Sequence, residues 1–493
     1  MLATDSSSHQ ITALIFNGLV KYDENIQLVG DLAERWQVED GGLKIIFFLR
    51  KNVRWQDGVP FTAADVVFTY EKLIDPELPT PYGADFEKVK SVRAIDDWTV
   101  EVLYKEPFVP ALASWGMGML PKHLLQHENL LKTSFSRHPI GTGPYRFREW
   151  KTAEFVDLEA NTDYFDGEPS IGRYLYRIIP DQTTAFIELQ SGSIDMASLT
   201  PLQYYRQTDT PFFKKRFKKF QYPSFGYLYM GYNLQNPLFQ DARVRHAISH
   251  AINKDEMIKA VLMGAGRVST GPFLPGTKAY NESVQATAFD PAEAERLLSE
   301  AGWKDSDDDG VLDKDGKKFS FVVITNQGND QRRMTCEIMQ KSLQKVGIEM
   351  KIQFLEWATF LKEYVDKKKF DAVVMAWQLS FDPDVYDIFH SSRTSPGEFN
   401  FISYKNEEVD RLLEVGRAEF DPDKRSEIYR RIHALISEDE PYSFLYVPDA
   451  LPAVHERFMG VRQAPIGVGF NLIRWSVDPE KVKYRHLRAS RQA

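Results

Sequence analysis

Two aspartates separated by a single residue, Asp382 and Asp384, form the pair of side chains in this sequence best suited to acid and base chemistry. A secreted hydrolase that uses paired acids could employ them, with one carboxyl donating a proton and the other accepting one. The sequence contains no HExxH, GxSxG or GxxxxGK[ST] motif, so the usual enzyme signatures are absent. We therefore predict a binding protein with no catalytic residue, and keep the hydrolase as an alternative.

An aspartate-rich stretch resembles a calcium-binding loop. Asp305, Asp307, Asp309 and Asp313 alternate with other residues, and carboxylate oxygens are the ligands that calcium prefers. The twelfth position of the loop is Gly316 instead of the usual bidentate glutamate. The stretch is therefore predicted as a polar hairpin turn, with weak calcium binding as the alternative.

Other metal-binding or cofactor-binding patterns are weak. His246 and His250 are four residues apart on a predicted helix, the separation that places two ligands on one face, but no third ligand is evident. Cys336 is the only cysteine, which excludes an internal disulfide, and its surroundings predict a small buried residue of a helix. We predict no bound metal and no cofactor.

The net charge of −9 disfavours binding to nucleic acid. A basic run at 214–219 has interleaved phenylalanines, but one short run in an acidic chain is typical of a solvated surface strand. The longest apolar stretch, 109–120, is interrupted by glycines and falls short of the roughly 20 residues that span a bilayer. We predict neither a nucleic-acid partner nor a transmembrane helix.

The spacing of apolar residues predicts a mixed α/β protein. Thr62 and Asp65 form a capping box that starts a helix, and Asp241 and Asn253 cap two further amphipathic helices. A strand over 319–325, a helix over 332–346 and strands over 350–355 and 372–376 then follow one another. This order favours a sheet covered by helices.

Several sequence words together resemble one known family, and the resemblance covers nearly the whole chain. They include FNGLV at 16–20, DLAERW at 31–36, LRKNVRW at 49–55, FTAADV at 61–66, GTGPY at 141–145 and YKNEEVD at 404–410. The chain is similar to the extracellular solute-binding proteins of family 5, the oligopeptide, dipeptide and nickel binders of ABC importers.

The resemblance implies a two-lobed, periplasmic-binding-protein-like α/β fold (type II, cluster C) with a small inserted domain and two hinge crossings. Lobe I would comprise residues 1–36, 139–232 and 468–493, its inserted subdomain residues 37–138, and lobe II residues 233–467. The crossings would fall at 229–234 and 464–468, where Gly231, Gly467 and Gly469 could absorb rotations. Family members carry a further strand before the position of Leu2, so we expect one strand position in lobe I to be unpaired.

The resemblance also implies a ligand-binding set at the positions that match the family's pocket segments. These are Asn17, Gly18, Tyr145, Tyr229, Asn326, Trp357, Trp377, Gln378, Ser380 and Asp382. Aromatic rings provide apolar area at low entropic cost, and amides can hold a peptide main chain whatever its side chains. For any single ring, packing in a core is the competing interpretation.

One position departs from the family's pattern. Peptide binders of the family place an aspartate three residues after the equivalent of Trp377, where it pairs with the α-amino group of the peptide; this chain has Ser380. Asp382 or Asp384 could supply the carboxylate instead. If neither faces the cleft, a free N-terminus is not required, and the ligand could also be a sugar or another solute.

The function implied is that of the substrate-binding subunit of an ABC importer, which captures di- or oligopeptides between two lobes and delivers them to the membrane permease. A binder of an oligosaccharide or metal chelate on the same fold, the hydrolase, and a sensor or holder of unfolded chains are the alternatives. The expected partners are a peptide or similar small solute and the permease and ATPase subunits, with the protein itself a monomer. The expected location is periplasmic, or extracytoplasmic and membrane-anchored, with the signal peptide not present in this chain.

Overall fold

A computed structural model describes residue 2 and residues 5–78 and 80–483 of the chain. The first part of lobe I and the inserted subdomain contain α1 (Ser6–Ile15), β1 (Val20–Tyr22), β2 (Leu28–Gly30), β3 (Ala33–Glu39), β4 (Lys44–Leu49), α2 (Ala63–Leu73), β5 (Val89–Asp96), β6 (Thr99–Tyr104), α3 (Ala111–Ser114) and α4 (Lys122–Leu125). Strands β3, β4, β6 and β5 form an antiparallel sheet in that order. On β4, Ile45, Phe47 and Leu49 are buried while the residues between them are half-exposed, the alternation of a strand with one face on the core.

The next part of lobe I contains β7 (Tyr145–Lys151), β8 (Phe155–Ala160), β9 (Arg173–Arg177), α5 (Gln182–Ser191), β10 (Met196–Ser198), α6 (Pro211–Arg216) and β11 (Phe217–Lys219). Strands β7, β8 and β9 form one antiparallel sheet. The predicted surface strand at 214–219 is wrong in its first half. Thr210 caps a helix that has Pro211 at its first position, and this helix continues to Arg216 before β11 begins.

Lobe II contains β12 (Tyr222–Pro223), β13 (Gly226–Tyr232), α7 (Ala242–Ala251), α8 (Lys254–Leu262), β14 (Gly266–Val268), α9 (Pro291–Glu300), β15 (Asp313–Lys314), β16 (Lys317–Lys318), β17 (Ser320–Asn326), α10 (Asp330–Gln344), β18 (Glu349–Leu355), α11 (Trp357–Thr359), β19 (Ala372–Gln378), α12 (Tyr386–Phe389), α13 (Glu407–Ala418), α14 (Pro422–Asp439) and β20 (Tyr442–Ala450). Its main sheet has the order β12–β20–β13–β19–β17–β18, with β14 also paired to β20. Strand β17 runs parallel to both β18 and β19. One core packs α7, α8 and α10 on one face of this sheet, and a second core packs α13 and α14 on the other face.

The chain then returns to lobe I with β21 (Pro452–His455), β22 (Phe458–Met459) and β23 (Ser476–Val477). Strand β21 lies between β10 and β11 in a three-stranded antiparallel sheet. The outer edges of β9 and β10 both border a large cavity inside lobe I, of about 2350 Å³.

The strand pairings correct both predicted crossings. Strand β13 pairs with β19 and β20 along its length, so residues 226–232 belong to lobe II. Strand β21 belongs to lobe I because its partners are β10 and β11. The chain therefore crosses between β11 and β12 and again between β20 and β21. Gly231 is a packing position inside β13, where an added Cβ would lie 3.0 Å from the Tyr442 ring.

The predicted helix starts agree well with the structure. The capping box of Thr62 and Asp65 is confirmed, and the side chains of Asp241 and Asn253 accept hydrogen bonds from the first-turn amides of α7 and α8. Cys336 is fully buried in α10, as predicted. Among the described residues, no helix combines the length and apolar character needed to cross a membrane.

Candidate ligand-binding cleft

Half-buried aromatic rings from both sides meet across the space between the lobes. Tyr82 of the inserted subdomain makes an edge contact with Phe399 of lobe II, at 5.9 Å between ring centroids. Tyr22 of lobe I contacts Phe381 of lobe II in the same way at 5.2 Å. We call these four residues the cleft rings. Because they approach from opposite lobes, a ligand beside them would touch both lobes at once.

The parallel strands of lobe II direct several of the predicted site residues to one edge. Asn326 is the last residue of β17, Trp357 follows two residues after β18, and Trp377 lies at the end of β19. Since parallel strands present their carboxyl ends at the same edge of a sheet, these residues lie at one edge of the main sheet of lobe II. Crevices outside the carboxyl ends of strands are common ligand sites in open α/β sheets.

Trp377 is held by rings on three sides. It stacks on Phe401 at 5.9 Å and on Tyr229 at 6.2 Å, and its edge contact with Phe399 is at 5.5 Å. Its indole Nε1 donates to the Tyr442 hydroxyl at 3.3 Å. The indole is half-buried, so it presents a rigid apolar surface beside the cleft rings.

The loop after β19 carries neutral polar groups. Gln378 is exposed, and its side-chain amide donates to the Phe225 carbonyl at 2.8 Å. Ser380 is also exposed, and its hydroxyl accepts from the Asp382 amide at 3.3 Å. These groups offer uncharged hydrogen-bonding atoms next to Trp377.

Both aspartates of this loop are engaged by arginines. The Asp382 carboxylate accepts two hydrogen bonds from Arg425, at 2.8 and 2.9 Å. Asp384 accepts from Arg417 Nε at 2.6 Å. Such charge-assisted bonds compensate each carboxylate within lobe II. Each of the two aspartates therefore already has a cationic partner in lobe II. Neither carboxylate is free to replace the aspartate that the family resemblance led us to expect.

Ion pairs also join the inserted subdomain to lobe II. Arg417 donates from Nη2 to Asp85 at 2.7 Å, so its guanidinium bridges Asp384 and Asp85. Arg393 pairs with Glu87 at 2.7 Å. Burial raises the pKa of Asp85 to about 6, although Arg417 acts in the opposite direction. The inter-lobe contact is therefore both aromatic and ionic.

The remaining predicted site residues are held in hydrogen bonds or packing contacts within the fold. Asn17 is buried: its amide donates to Asp31 at 2.8 Å and to Tyr164 at 3.1 Å, and its oxygen accepts from Thr142 at 3.1 Å. Gly18 permits a close backbone approach, since an added Cβ would lie 2.4 Å from Gly116. Both residues line the cavity of lobe I.

Tyr145 and Tyr229 are fully buried, and both rings belong to hydrophobic cores. Tyr229 reaches the cleft only indirectly, because it lies behind Trp377. Asn326 accepts from Arg332 at 2.6 Å, and Trp357 packs on Phe360 at 5.7 Å. The structure thus brings Asn326, Trp357 and the 377–382 segment together at one sheet edge, and places the other predicted residues elsewhere.

Sequence reasoning missed the four cleft rings and the two arginines. Tyr82 follows a proline and precedes a glycine, and an aromatic residue at a turn is a signal that could have identified it. Arg417 and Arg425 lie on α13 and α14 with no local signal, because their partners are 33 and 43 residues away on another element.

The other metal patterns have internal partners. Asp305, Asp307 and Asp313 do come close together. Lys318 lies among them, with its ammonium 2.5 Å from Asp307 and 2.9 Å from Asp309, so a cation is already present. His246 contacts Glu440 at 2.8 Å, whereas His250 contacts the Ala288 carbonyl at 2.9 Å, so the two imidazoles have separate partners.

Two packed lobes with a ring-lined cleft at the carboxyl ends of parallel strands define a solute-binding protein of the two-lobed class, as predicted. The model of the family described as "Bacterial extracellular solute-binding proteins, family 5 Middle" matches residues 27–399. The chain belongs to family 5 of the bacterial extracellular solute-binding proteins.

Similar proteins support this assignment over nearly the full length. The oligopeptide-binding protein AppA of Bacillus subtilis is 37% identical over 484 residues, which cover 96% of this chain and 88% of the relative. Its structure in complex with a nonapeptide has a TM-score of 0.92 at 36% identity, covering 97% of this chain and 95% of that one. NikZ from Campylobacter jejuni in complex with Ni(L-His) has a TM-score of 0.87 at 31% identity, covering 94% of each chain.

Proposed function

We propose that this protein is the substrate-binding subunit of an ABC importer, which captures peptides between its two lobes and delivers them to a membrane permease. The observation that carries the proposal is the set of cleft rings, contributed by both lobes beside Trp377 at the carboxyl ends of β17, β18 and β19. The similarity to an oligopeptide-binding protein solved with a nonapeptide supports a peptide as the ligand.

The arrangement suits capture by closure. Two short crossings connect the lobes, and a ligand that contacts both stabilises the closed form by its difference in affinity for the closed and open forms. Aromatic walls cover side chains of varied shape because rings bury a large area at low entropic cost. Neutral groups such as Gln378 and Ser380 suit the repeated amides of a peptide main chain.

The same geometry argues against the hydrolase. A general acid must hold a proton and a general base must reach the substrate. Asp382 and Asp384 are instead bound to Arg425 and Arg417 at 2.6 to 2.9 Å. The proposed role is therefore non-catalytic, with permease and ATPase subunits as partners of an extracytoplasmic monomer.

Mass spectrometry of small molecules released from protein purified from its native host tests the proposal. We expect peptides, and we expect their return to the emptied protein to raise its melting temperature and to reduce its radius of gyration in solution scattering. Released sugars or metal chelates, or a peptide recovered in cleaved form after incubation, would refute peptide capture. A matched set of peptides, oligosaccharides and nickel–histidine in the thermal assay separates these ligand classes.

Trp377→Ala is expected to weaken peptide binding by about 30-fold or more, which corresponds to ~2 kcal/mol. The indole is preorganised by three rings and lies at the cleft, so its removal takes away apolar contact area that no neighbour can replace. Calorimetric titration with a peptide recovered from the protein measures the change.

Trp150→Ala provides the matched control, because Trp150 is an exposed tryptophan on β7 of lobe I. The affinity of the Trp150→Ala variant for the peptide should stay within twofold of the wild-type value. Equal affinities for both variants would remove Trp377 from the binding site.

A further inference from the structure

We propose that one face of lobe I binds the surface of a membrane that contains anionic phospholipids. The face, which we call the basic face, consists of four basic and two apolar side chains, all exposed to solvent: Leu202, Arg206, Phe212, Lys214, Lys215 and Arg216. It belongs to lobe I alone, so contact with a membrane at this place does not depend on closure around a peptide.

Two short helical segments carry the basic face, one at Gln203–Gln207 and the other α6. Tyr204 from the first segment and Phe213 from the second pack in the same hydrophobic cluster. The Lys219 ammonium adds a link from β11, because it donates to the Tyr204 carbonyl at 2.7 Å. Since both segments lie on one cluster, their outward sides face the solvent away from it.

The cations of the basic face are largely uncompensated. Lys214 pairs with Asp209, the only acid between 202 and 219. Within the part of the chain that the structure describes, Arg206, Lys215 and Arg216 form no ion pair. The whole chain has a net charge of −9, so this concentration of positive charge is opposite in sign to the rest of the protein. A partner attracted to this face is therefore anionic.

The exposed apolar side chains favour a membrane among the anionic partners. Leu202 is 53% exposed and Phe212 is 45% exposed. The Arg216 guanidinium lies 4.3 Å from the centroid of the Phe212 ring, so a cation and an exposed ring share one spot on the surface. Apolar side chains among Lys and Arg are typical of protein surfaces that bind a bilayer, where the apolar groups enter the headgroup region and the cations attract anionic lipids.

The neighbouring rings do not suit nucleic acid. Phe213 and Phe217 are buried and stack on each other at 4.5 Å between ring centroids. Base stacking needs rings that are exposed along a groove, and these two rings belong to the core of lobe I. The six side chains of the basic face also lie outside the cavity of lobe I. A broad anionic surface therefore fits this face better than single-stranded nucleic acid.

Sedimentation of the full chain with lipid vesicles tests the proposal. Vesicles of equal parts phosphatidylglycerol and phosphatidylcholine are compared with vesicles of phosphatidylcholine alone, at two salt concentrations. We expect binding to the anionic vesicles only, and we expect it to be weaker at the higher salt concentration because ions screen the attraction. The binding should be the same with and without peptide.

Replacing both Lys215 and Arg216 by glutamine should weaken binding to the anionic vesicles roughly 25-fold, since each basic side chain near such a membrane strengthens binding about fivefold. The matched control removes the same charge from lobe II. It combines Lys341→Gln with Lys345→Gln, two exposed lysines at the C-terminal end of α10. The control should bind the vesicles like the wild type.

Phe212→Ser tests the apolar contact separately. This variant should bind the anionic vesicles severalfold more weakly, by the same factor at two salt concentrations at which the wild type still binds, because salt does not screen an apolar contact. An unchanged affinity would overturn the proposed membrane and favour an acidic protein as the partner.

Three other results overturn the proposal: binding to neither kind of vesicle, equal binding to both kinds, or equal weakening by the Lys215 and Arg216 pair and by the control pair. Peptide capture would stand in each case, because it is measured in the cleft with soluble peptides. Failure of peptide capture would likewise leave the vesicle result unchanged, so the two proposals fail separately.

Discussion

Replacing Arg417 by methionine is expected to lower the free energy of unfolding by about 3–5 kcal/mol. The guanidinium is nearly inaccessible to solvent and compensates two carboxylates, Asp384 at 2.6 Å and Asp85 at 2.7 Å. It also lies 3.9 Å above the Tyr386 ring, so methionine would keep part of the packing and lose the charge. The cost comes mainly from leaving two partly buried carboxylates without a cation.

Urea unfolding of the wild type and of Arg417→Met measures this cost, and Arg411→Met is the matched control. Arg411 lies on the same helix, α13, and forms an exposed pair with Glu408. Exposed pairs of this kind contribute about 0.3–0.5 kcal/mol, so the control should change stability little. Equal effects of the two substitutions would contradict the role assigned to Arg417.

A compensating variant separates charge from packing. Adding Asp85→Asn and Asp384→Asn to Arg417→Met removes the uncompensated carboxylates, so part of the lost stability should return. Asp85→Asn alone removes the Arg417–Asp85 ion pair, one of the bonds between the inserted subdomain and lobe II. We expect that single variant to favour the open form, which solution scattering would show as a larger radius of gyration without ligand.

The second large effect that we expect is a loss of stability between pH 6.5 and pH 4 that originates in His433. This residue of α14 is fully buried, its Nδ1 accepts from the Asn281 amide at 3.0 Å, and its Nε2 lies 3.2 Å from the Thr270 hydroxyl. Burial lowers the pKa of His433 from 6.5 to about 4. The packing is tight, since a Cβ added to Gly271 would lie 2.3 Å from the imidazole.

The direction of this pH effect on the free energy of unfolding follows from the proton that His433 takes up on unfolding. Between pH 6.5 and pH 4 the imidazole is protonated in the unfolded chain and neutral in the folded protein, so unfolding binds a proton. The free energy of unfolding therefore falls as the pH falls through this window. The stabilisation that comes from the neutral, buried His433 is fully present above pH 6.5. One pKa unit corresponds to about 1.4 kcal/mol, so the whole drop amounts to roughly 3 kcal/mol.

Unfolding free energies at several pH values for the wild type and His433→Gln measure this contribution. Other groups also titrate in this range, so the informative quantity is the difference between the two pH dependences. The variant should be less stable at pH 7 but should lose about 3 kcal/mol less on acidification. His127→Gln, at an exposed position, is the matched control for replacing one histidine. Parallel curves for the wild type and His433→Gln would show that His433 is not the origin.

Much of the local structure follows from short stretches of sequence. The capping box of Thr62 and Asp65 and the caps at Asp241 and Asn253 appear where they were predicted. Each depends on side chains that bond to amides two or three residues away, so tertiary context can hardly change them. The βαβ order from β17 to β19 is equally local in origin, since each element shows its own apolar period.

The family and its two-lobed fold were also accessible from the sequence, because words distributed from 16 to 410 occur in the family's order. The positions at which the chain crosses between the lobes were not accessible from the sequence. The sequence of residues 226–232 is compatible with a strand in the sheet of either lobe. Only the pairing of β13 with β19 and β20 assigns these residues to lobe II. A strand's own residues determine its extended form, whereas its neighbours determine the sheet to which it belongs.

The charge state of the cleft was decided by tertiary structure alone. From the sequence, Asp382 and Asp384 are simply two acids, equally consistent with catalysis and with binding of an ammonium group. Their roles depend on Arg425 and Arg417, which α13 and α14 bring to the loop, and on Asp85, which lies 332 residues from Arg417. Such pairings arise only when separate elements pack together, because the Coulomb energy depends on distance in space and not on distance along the chain.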